Sequence, residues 1–194
     1  MGFDDWNTAG HDMPHNPAVN QLRYLNQYSK QQAESMLTDP AWTRAIFLRE
    51  PHERFLSAFL DKAMNNNYVK SKCHALVRTL DQFITVSQSC RDPHWAAQIR
   101  RVDAKWIPYI NVVGHMNSES VRAMLGPDAW EIFGASGWGA SGNETIFQSN
   151  ALKARASGAS EKMERYWEPE VLERFDKRFE AELLWYAGIE WTAR

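Results

Sequence analysis

Hydrophobic and polar positions change period several times along the chain. Residues 1–28 scatter Gly, Pro, Asn, Asp and His among isolated apolar positions without a repeat, which predicts an irregular N-terminal arm. Ser29 with Gln32 has the spacing of a capping box, and Ala33, Met36 and Leu37 follow at helical intervals until Asp39-Pro40 ends the run. Ala45–Leu48 is a compact apolar stretch between Arg44 and Arg49, too short for a helix, and predicts a strand buried on both faces. Pro51 at once favours a helix start, with Phe55, Leu56, Phe59, Leu60 and Ala63 on one stripe.

Further on, Thr79 with Gln82 caps a helix through about Ser87, and Asp92-Pro93 predicts another in which Trp95, Ile99 and Val102 share a face. Ile110–Val113 predicts a second strand, followed by Gly114 and a helix around Val121, Met124 and Leu125 that Gly126-Pro127 ends. Residues 134–142 form a small-residue loop in which one tetrapeptide occurs twice, Gly134–Gly137 and Gly139–Gly142. Pro169 opens a long helix with the stripe Leu172, Phe175, Phe179, Leu183 and Tyr186, stopped at Gly188. Two strands against five or six helices predict a helix-rich α/β domain over residues 29–194, with a small or truncated parallel sheet. Either more strands hide in the loops or part of the sheet lies outside this chain.

With 194 residues, 44% hydrophobic and 24% charged, the chain can bury one core. A formal net charge of −2 excludes a whole-chain basic field for nucleic acid, so any anion must be held by a local cluster. No run of 18 apolar residues predicts a membrane span, and the polar, acidic start does not read as a signal peptide. Cys73 and Cys90 fit either one bridge or two free thiols and complete no zinc site. Pro14 between His11 and His15 argues against a helical metal pair.

The candidate chemistry gathers at Arg49-Glu50-Pro51-His52-Glu53-Arg54-Phe55-Leu56-Ser57. A cation ends a strand, a helix N-terminus with free amides follows, and Arg54 and Ser57, three apart, can flank one anion. This predicts a phosphate site, with surface ion pairing to Glu50 or Glu53 as the plainer reading. His94 at a predicted helix start is a candidate general base, or a histidine holding a loop, with Gln98 one turn on; His115 has the same ambiguity.

The phrase Ile46–Pro51 followed by Arg54 and Ser57 resembles the 3′-phosphate-binding motif of carbohydrate sulfotransferases, the chondroitin 4-O-sulfotransferases among them, with Glu50 where Asp is usual. Asp92–Gln98, Ile110–His115 and Ser160–Glu170 match in the same order, and the chain looks most like sulfotransferase-like proteins of marine algae. The resemblance implies transfer of a sulfonate from 3′-phosphoadenosine 5′-phosphosulfate to a hydroxyl, usually on a glycan. It implies that Arg49 and Ser57, with Arg54 beside them, hold the 3′-phosphate, and that the stretch from Ser157 to Ser160 with Lys162 approaches the nucleotide. It implies a disulfide between Cys73 and Cys90, and the Golgi lumen as the compartment, although no anchor is seen.

Such enzymes also carry an early phosphosulfate loop, a lysine followed by Gly, Ser or Thr, that stabilises charge on the bridging oxygen. Between Met1 and Lys30 no such loop is found. Either the chain is a fragment matching the C-terminal part of the domain, or the loop is lost and the protein is a pseudoenzyme, or a diverged loop goes unrecognised. The expectation is therefore a sulfotransferase-like protein that serves as a non-catalytic subunit, packing on protein partners through Trp6, Trp138, Trp185 and Trp191, with an active enzyme as the alternative.

Overall fold

The computed structural model describes residues 23–116, 123–124 and 158–191. Its main elements in chain order are α1 (Lys30–Thr38), β1 (Ala45–Leu48), α2 (Pro51–Phe59), α3 (Tyr68–Cys73), α4 (Leu80–Ser89), β2 (Val112–His115), α5 (Ala159–Tyr166) and α6 (Pro169–Ala187). β1 and β2 form a two-stranded parallel sheet, so the described fold is helix-rich α/β. The chain divides into two compact units, one holding residues 1–47, 105–154 and 191–194, the other residues 48–104 and 155–190.

In the first unit, α1 begins where its spacing predicts. The Ser29 hydroxyl accepts from the Gln32 amide at 3.2 Å, and the Gln32 side chain accepts from the Ser29 amide at 3.1 Å, which satisfies two helix-end donors reciprocally. Asn111 staples the two strand starts: its oxygen accepts from the Arg44 amide at 2.8 Å and its amide donates to the Trp42 carbonyl at 2.9 Å. That use of Asn111 delays the second strand to Val112, two residues after its expected start, because Ile110 still closes the preceding 3-10 turn on Ile107 at 3.1 Å. β1 is not buried on both faces: it runs from an exposed Ala45 to a buried Leu48. His115 ends β2 and stacks on Trp191 at 3.8 Å, which gives it a packing partner.

In the second unit, Pro51 stands at the first position of α2, where its missing amide hydrogen costs nothing. The helix buries Phe55, Leu56, Ala58 and Phe59 and loosens into a single π turn, Leu60–Met64, closed by the Asn65 amide on the Leu60 carbonyl. Phe55 is the hub of the core. Its ring lies 4.8 Å from Phe83 of α4, and 5.0 and 5.3 Å from Phe175 and Phe179 of α6. Fully buried aromatics of this kind each contribute about 1.5–3 kcal/mol from area alone.

The helix expected from Asp92 to Val102 is replaced by a turn followed by a single 3-10 turn, Gln98–Arg100. The missing helical hydrogen bond from the Gln98 amide to the His94 carbonyl has been intercepted at both ends. The Gln98 amide donates instead to the Glu182 carboxylate at 2.7 Å, and the His94 carbonyl accepts from Arg54 at 3.1 Å. Asp92 favours the turn as well, since its carboxylate takes the His94 amide at 2.8 Å. α3 and the 3-10 segment Ala104–Tyr109 carried no sequence expectation.

α6 runs from Pro169 to Ala187 and is capped by Gly188 as its stripe predicts, with non-helical dihedrals at Phe179, so the helix is kinked there. Its first half holds the start of α2 through His52. The two ring nitrogens of His52 lie 2.6 Å from Glu50 and 2.7 Å from Asp176, and the ring packs on Trp167 and Phe175. Burial works against a charge on His52, but hydrogen bonds and attraction from Glu50 and Asp176 outweigh it and raise its pKa. Burial likewise opposes ionised Glu50, yet His52 and the Glu53 amide hold its pKa below the usual carboxylate value.

Residues 1–22 of the expected arm, the glycine-rich stretch 134–142, and Val121 and Leu125 of the predicted helix lie outside the described residues; Ala123 and Met124 are helical. No described helix is long and apolar enough to cross a membrane.

Cys73 and Cys90 are joined, across a sequence separation of 17, from the end of α3 to the residue that follows α4. Closing a loop of that length stabilises by about 3 kcal/mol in the chain-entropy model. The Cys73→Ala/Cys90→Ala double variant is expected to melt roughly 5–10 °C lower than the oxidised parent, measured by calorimetry.

A second expectation concerns pH. Because the folded pKa of His52 is raised above 6.5, its contribution is fully present below the unfolded value and is lost as pH rises through the folded one. The melting temperature of the parent should therefore fall across that alkaline-going window, and His52→Gln should flatten this part of the stability profile.

Candidate functional site

Arg49 directly follows β1, and Glu50 caps α2 by accepting the Glu53 amide at 2.7 Å. A strand end, a cation and a helix N-terminus are thus joined in four residues, an arrangement whose amides and dipole favour an anion. The Arg49 guanidinium is about one-third exposed and lies 2.6 Å from Glu53, one turn on. Ser57 is half-buried on α2, two turns further along.

The main chain of Arg49 is gripped by one side chain. Gln98 accepts from the Arg49 amide at 3.0 Å and donates to the Arg49 carbonyl at 2.8 Å, so a single carboxamide does for this residue what a neighbouring strand would do. Gln98 is in turn held by Glu182, whose Oε1 accepts both its backbone amide at 2.7 Å and its side-chain amide at 3.2 Å. Glu182 is 1% exposed, a carboxylate among phenylalanines, and the Arg54 guanidinium lies 3.5 Å from the same oxygen.

Arg54 therefore does not stand beside Ser57 as a second surface cation. Its guanidinium reaches inward to Glu182 and the His94 carbonyl. Burial lowers its pKa, Glu182 resists, and the like charges of Arg101 and Arg49 add to the depression. Arginine stays charged through shifts of this kind.

His94 sits in the turn, not at a helix start, and its Nδ1 lies 2.6 Å from the buried Asp92 carboxylate. Burial opposes charge on Asp92, but the His94 amide, the Tyr68 hydroxyl at 2.7 Å and the His94 ring together keep its pKa low. The buried neighbour Trp95 donates its indole N–H to the Cys90 carbonyl at 2.8 Å. His94 keeps an exposed edge, its side chain being 44% accessible.

Lys162 lies on α5, and the helix is started by Gly158 in the left-handed conformation with φ 59°, where an added Cβ would meet the end of the Lys162 side chain at 3.7 Å. A side chain there would be strained whatever the space. Ser157 and the side chain of Ser160 lie outside the described residues. Trp6 and Trp138 also lie outside them, Trp191 is engaged by His115, and Trp185 is half-buried on α6. Among the described residues no three His, Cys, Asp or Glu side chains cluster as metal ligands.

Sequence reasoning missed Glu182 and His52 and gave Gln98 a different neighbour. The signal for Glu182 was present: it stands three residues after Phe179 and seven after Phe175, on the buried stripe of α6, where an acid needs a partner.

No curated protein and no solved structure matches the chain. Residues 4–187 match the sulfotransferase family, a span covering nearly the whole sequence, and the chain belongs to that family.

Proposed function

We propose that this protein binds the 3′-phosphate of an adenine nucleotide, the portion shared by 3′-phosphoadenosine 5′-phosphosulfate and its desulfonated product, at Arg49 and Ser57. The observation that carries this is the placing of Arg49 between a strand end and the N-terminus of α2, its backbone clamped by Gln98 and its guanidinium held at the surface by one acid, Glu53. A phosphate offers that guanidinium two strong acceptors and competes directly with the single Glu53 contact. Family membership supports the donor class, since sulfotransferases generally use this nucleotide. When bound, the nucleotide supplies an activated sulfonate; the residues described here hold and orient its 3′ end. Lys162 on α5 and the stretch before it are proposed as a further approach to the nucleotide.

For the chain as given, the reading is a nucleotide-binding, non-catalytic member that works with protein partners. It rests on the absence, between Met1 and Lys30, of a lysine set in a Gly, Ser or Thr loop. Single donors of the oxyanion-stabilising kind are worth about 10²–10³ in rate, so lacking the whole loop removes useful transfer. The second reading is an active carbohydrate sulfotransferase, related to the chondroitin 4-O type and to algal sulfotransferase-like proteins, working on a glycan in the Golgi lumen. It is favoured by the exposed edge of His94, whose carboxylate partner Asp92 orients it as a base for a sugar hydroxyl would be oriented.

The test is thermal unfolding with and without adenosine 3′,5′-bisphosphate. At about 100 times its dissociation constant the ligand adds roughly 2.7 kcal/mol, which for this size raises the midpoint by about 5–10 °C. Arg49→Ala should abolish the shift, and its absence in the parent at millimolar ligand would refute the reading. Sulfonate transfer to any glycan by the parent, lost in His94→Ala, would replace the non-catalytic reading with the active one.

A further inference from the structure

Two buried groups have more polar capacity than their surroundings use. Glu182 is fully enclosed, yet among the described residues its Oε2 has no hydrogen-bond partner, and the same holds for Nε of Arg54. An isolated enclosed carboxylate is costly, and this one is retained with incomplete compensation. An ion pair that only stabilised the core would be served as well or better by apolar residues of similar volume. The network points instead to a geometric task.

Among the described residues, two of the three hydrogen bonds that Glu182 accepts come from Gln98, the residue that grips Arg49. The Glu182 Oε1 fixes Gln98 twice, through the main-chain amide at 2.7 Å and the side-chain amide at 3.2 Å. The second bond favours the same orientation of the carboxamide that the Arg49 main chain requires, because only its nitrogen can donate to a carboxylate. With the nitrogen so placed, the same NH₂ group donates to the Arg49 carbonyl and the oxygen is left to accept the Arg49 amide. A reversed amide would put oxygen against oxygen at both Glu182 and the Arg49 carbonyl. Arg54 completes the arrangement by holding the His94 carbonyl away from the Gln98 amide, so that the segment remains a turn.

Resting on the reading of Arg49 as the 3′-phosphate ligand, we infer that Glu182 and Gln98 are positioning residues for that contact: the buried carboxylate anchors Gln98 at its main-chain and side-chain amides, and Gln98 so held fixes the main chain of Arg49 and with it the direction of its guanidinium. Neither residue touches the ligand. Their effect should therefore fall on the 3′-phosphate alone and leave the rest of the nucleotide's binding untouched.

Two nucleotides separate these effects. Adenosine 3′,5′-bisphosphate and adenosine 5′-monophosphate differ only in the 3′-phosphate, so the ratio of their dissociation constants, measured by calorimetric titration, reads that contact. A charge-assisted contact of this type is expected to give the parent a preference of at least about tenfold for the bisphosphate. In Glu182→Leu, which removes the acceptor for both Gln98 amides, the preference should fall to within about twofold, with affinity for the monophosphate unchanged. Gln98→Met removes the grip on Arg49 directly and should do the same, which decides the matter if Glu182→Leu fails to fold. A role confined to stability would lower the melting temperature, or weaken both nucleotides alike, and keep the ratio; that outcome overturns the inference while the nucleotide reading stands. A parent with no preference for the bisphosphate would overturn both.

Discussion

Glu182 is a carboxylate inside an aromatic core, and the second compact unit is arranged around satisfying it. The side chain is 1% exposed, so compensation has to come from protein donors. Arg54 and Gln98 supply it, and each does so by giving up what local sequence would have had it do. Arg54 leaves the surface of α2, and Gln98 leaves a helix that never forms. The turn between α4 and the 3-10 segment, the course of the chain past Trp95, and the fixed backbone of Arg49 all follow from those two diversions.

Helical elements were legible where a local chemical signal coincided with an apolar period. Ser29 and Thr79 cap the helices they precede, Pro51 and Pro169 open theirs, and the stripe of α6 extends to Gly188 as its spacing implies. The Asp92–Val102 segment misled for a definite reason. Its pattern is compatible with a helix, but the partners that intercept the 94–98 hydrogen bond come from Arg54 and Glu182, forty residues before and eighty-four after in the chain. No window of local sequence contains them. The strand register slipped for a similar reason, since Asn111 is used as a staple on Arg44 and Trp42 rather than as a strand residue.

The site divides in the same way. Arg49, Ser57 and the helix start at Pro51 were readable from one contiguous phrase, because strand, cation and helix N-terminus follow each other without interruption. What the phrase could not reveal is how its two arginines differ. Arg49 faces outward and is restrained through its main chain, whereas Arg54 is turned into the interior by an acid on α6. The Cys73 and Cys90 thiols, compatible in sequence with either state, are brought together by α3 and α4 into a bridge.

The kink of α6 at Phe179 has a mechanical meaning. Asp176, before it, holds His52; Glu182, after it, holds Gln98 and Arg54. One helix thus grasps the Arg49–His52 turn from two sides, three residues before its bend and three after. Both grips belong to one helix, so a displacement of α6 disturbs the Arg49–His52 turn at its histidine and at its amide clamp together.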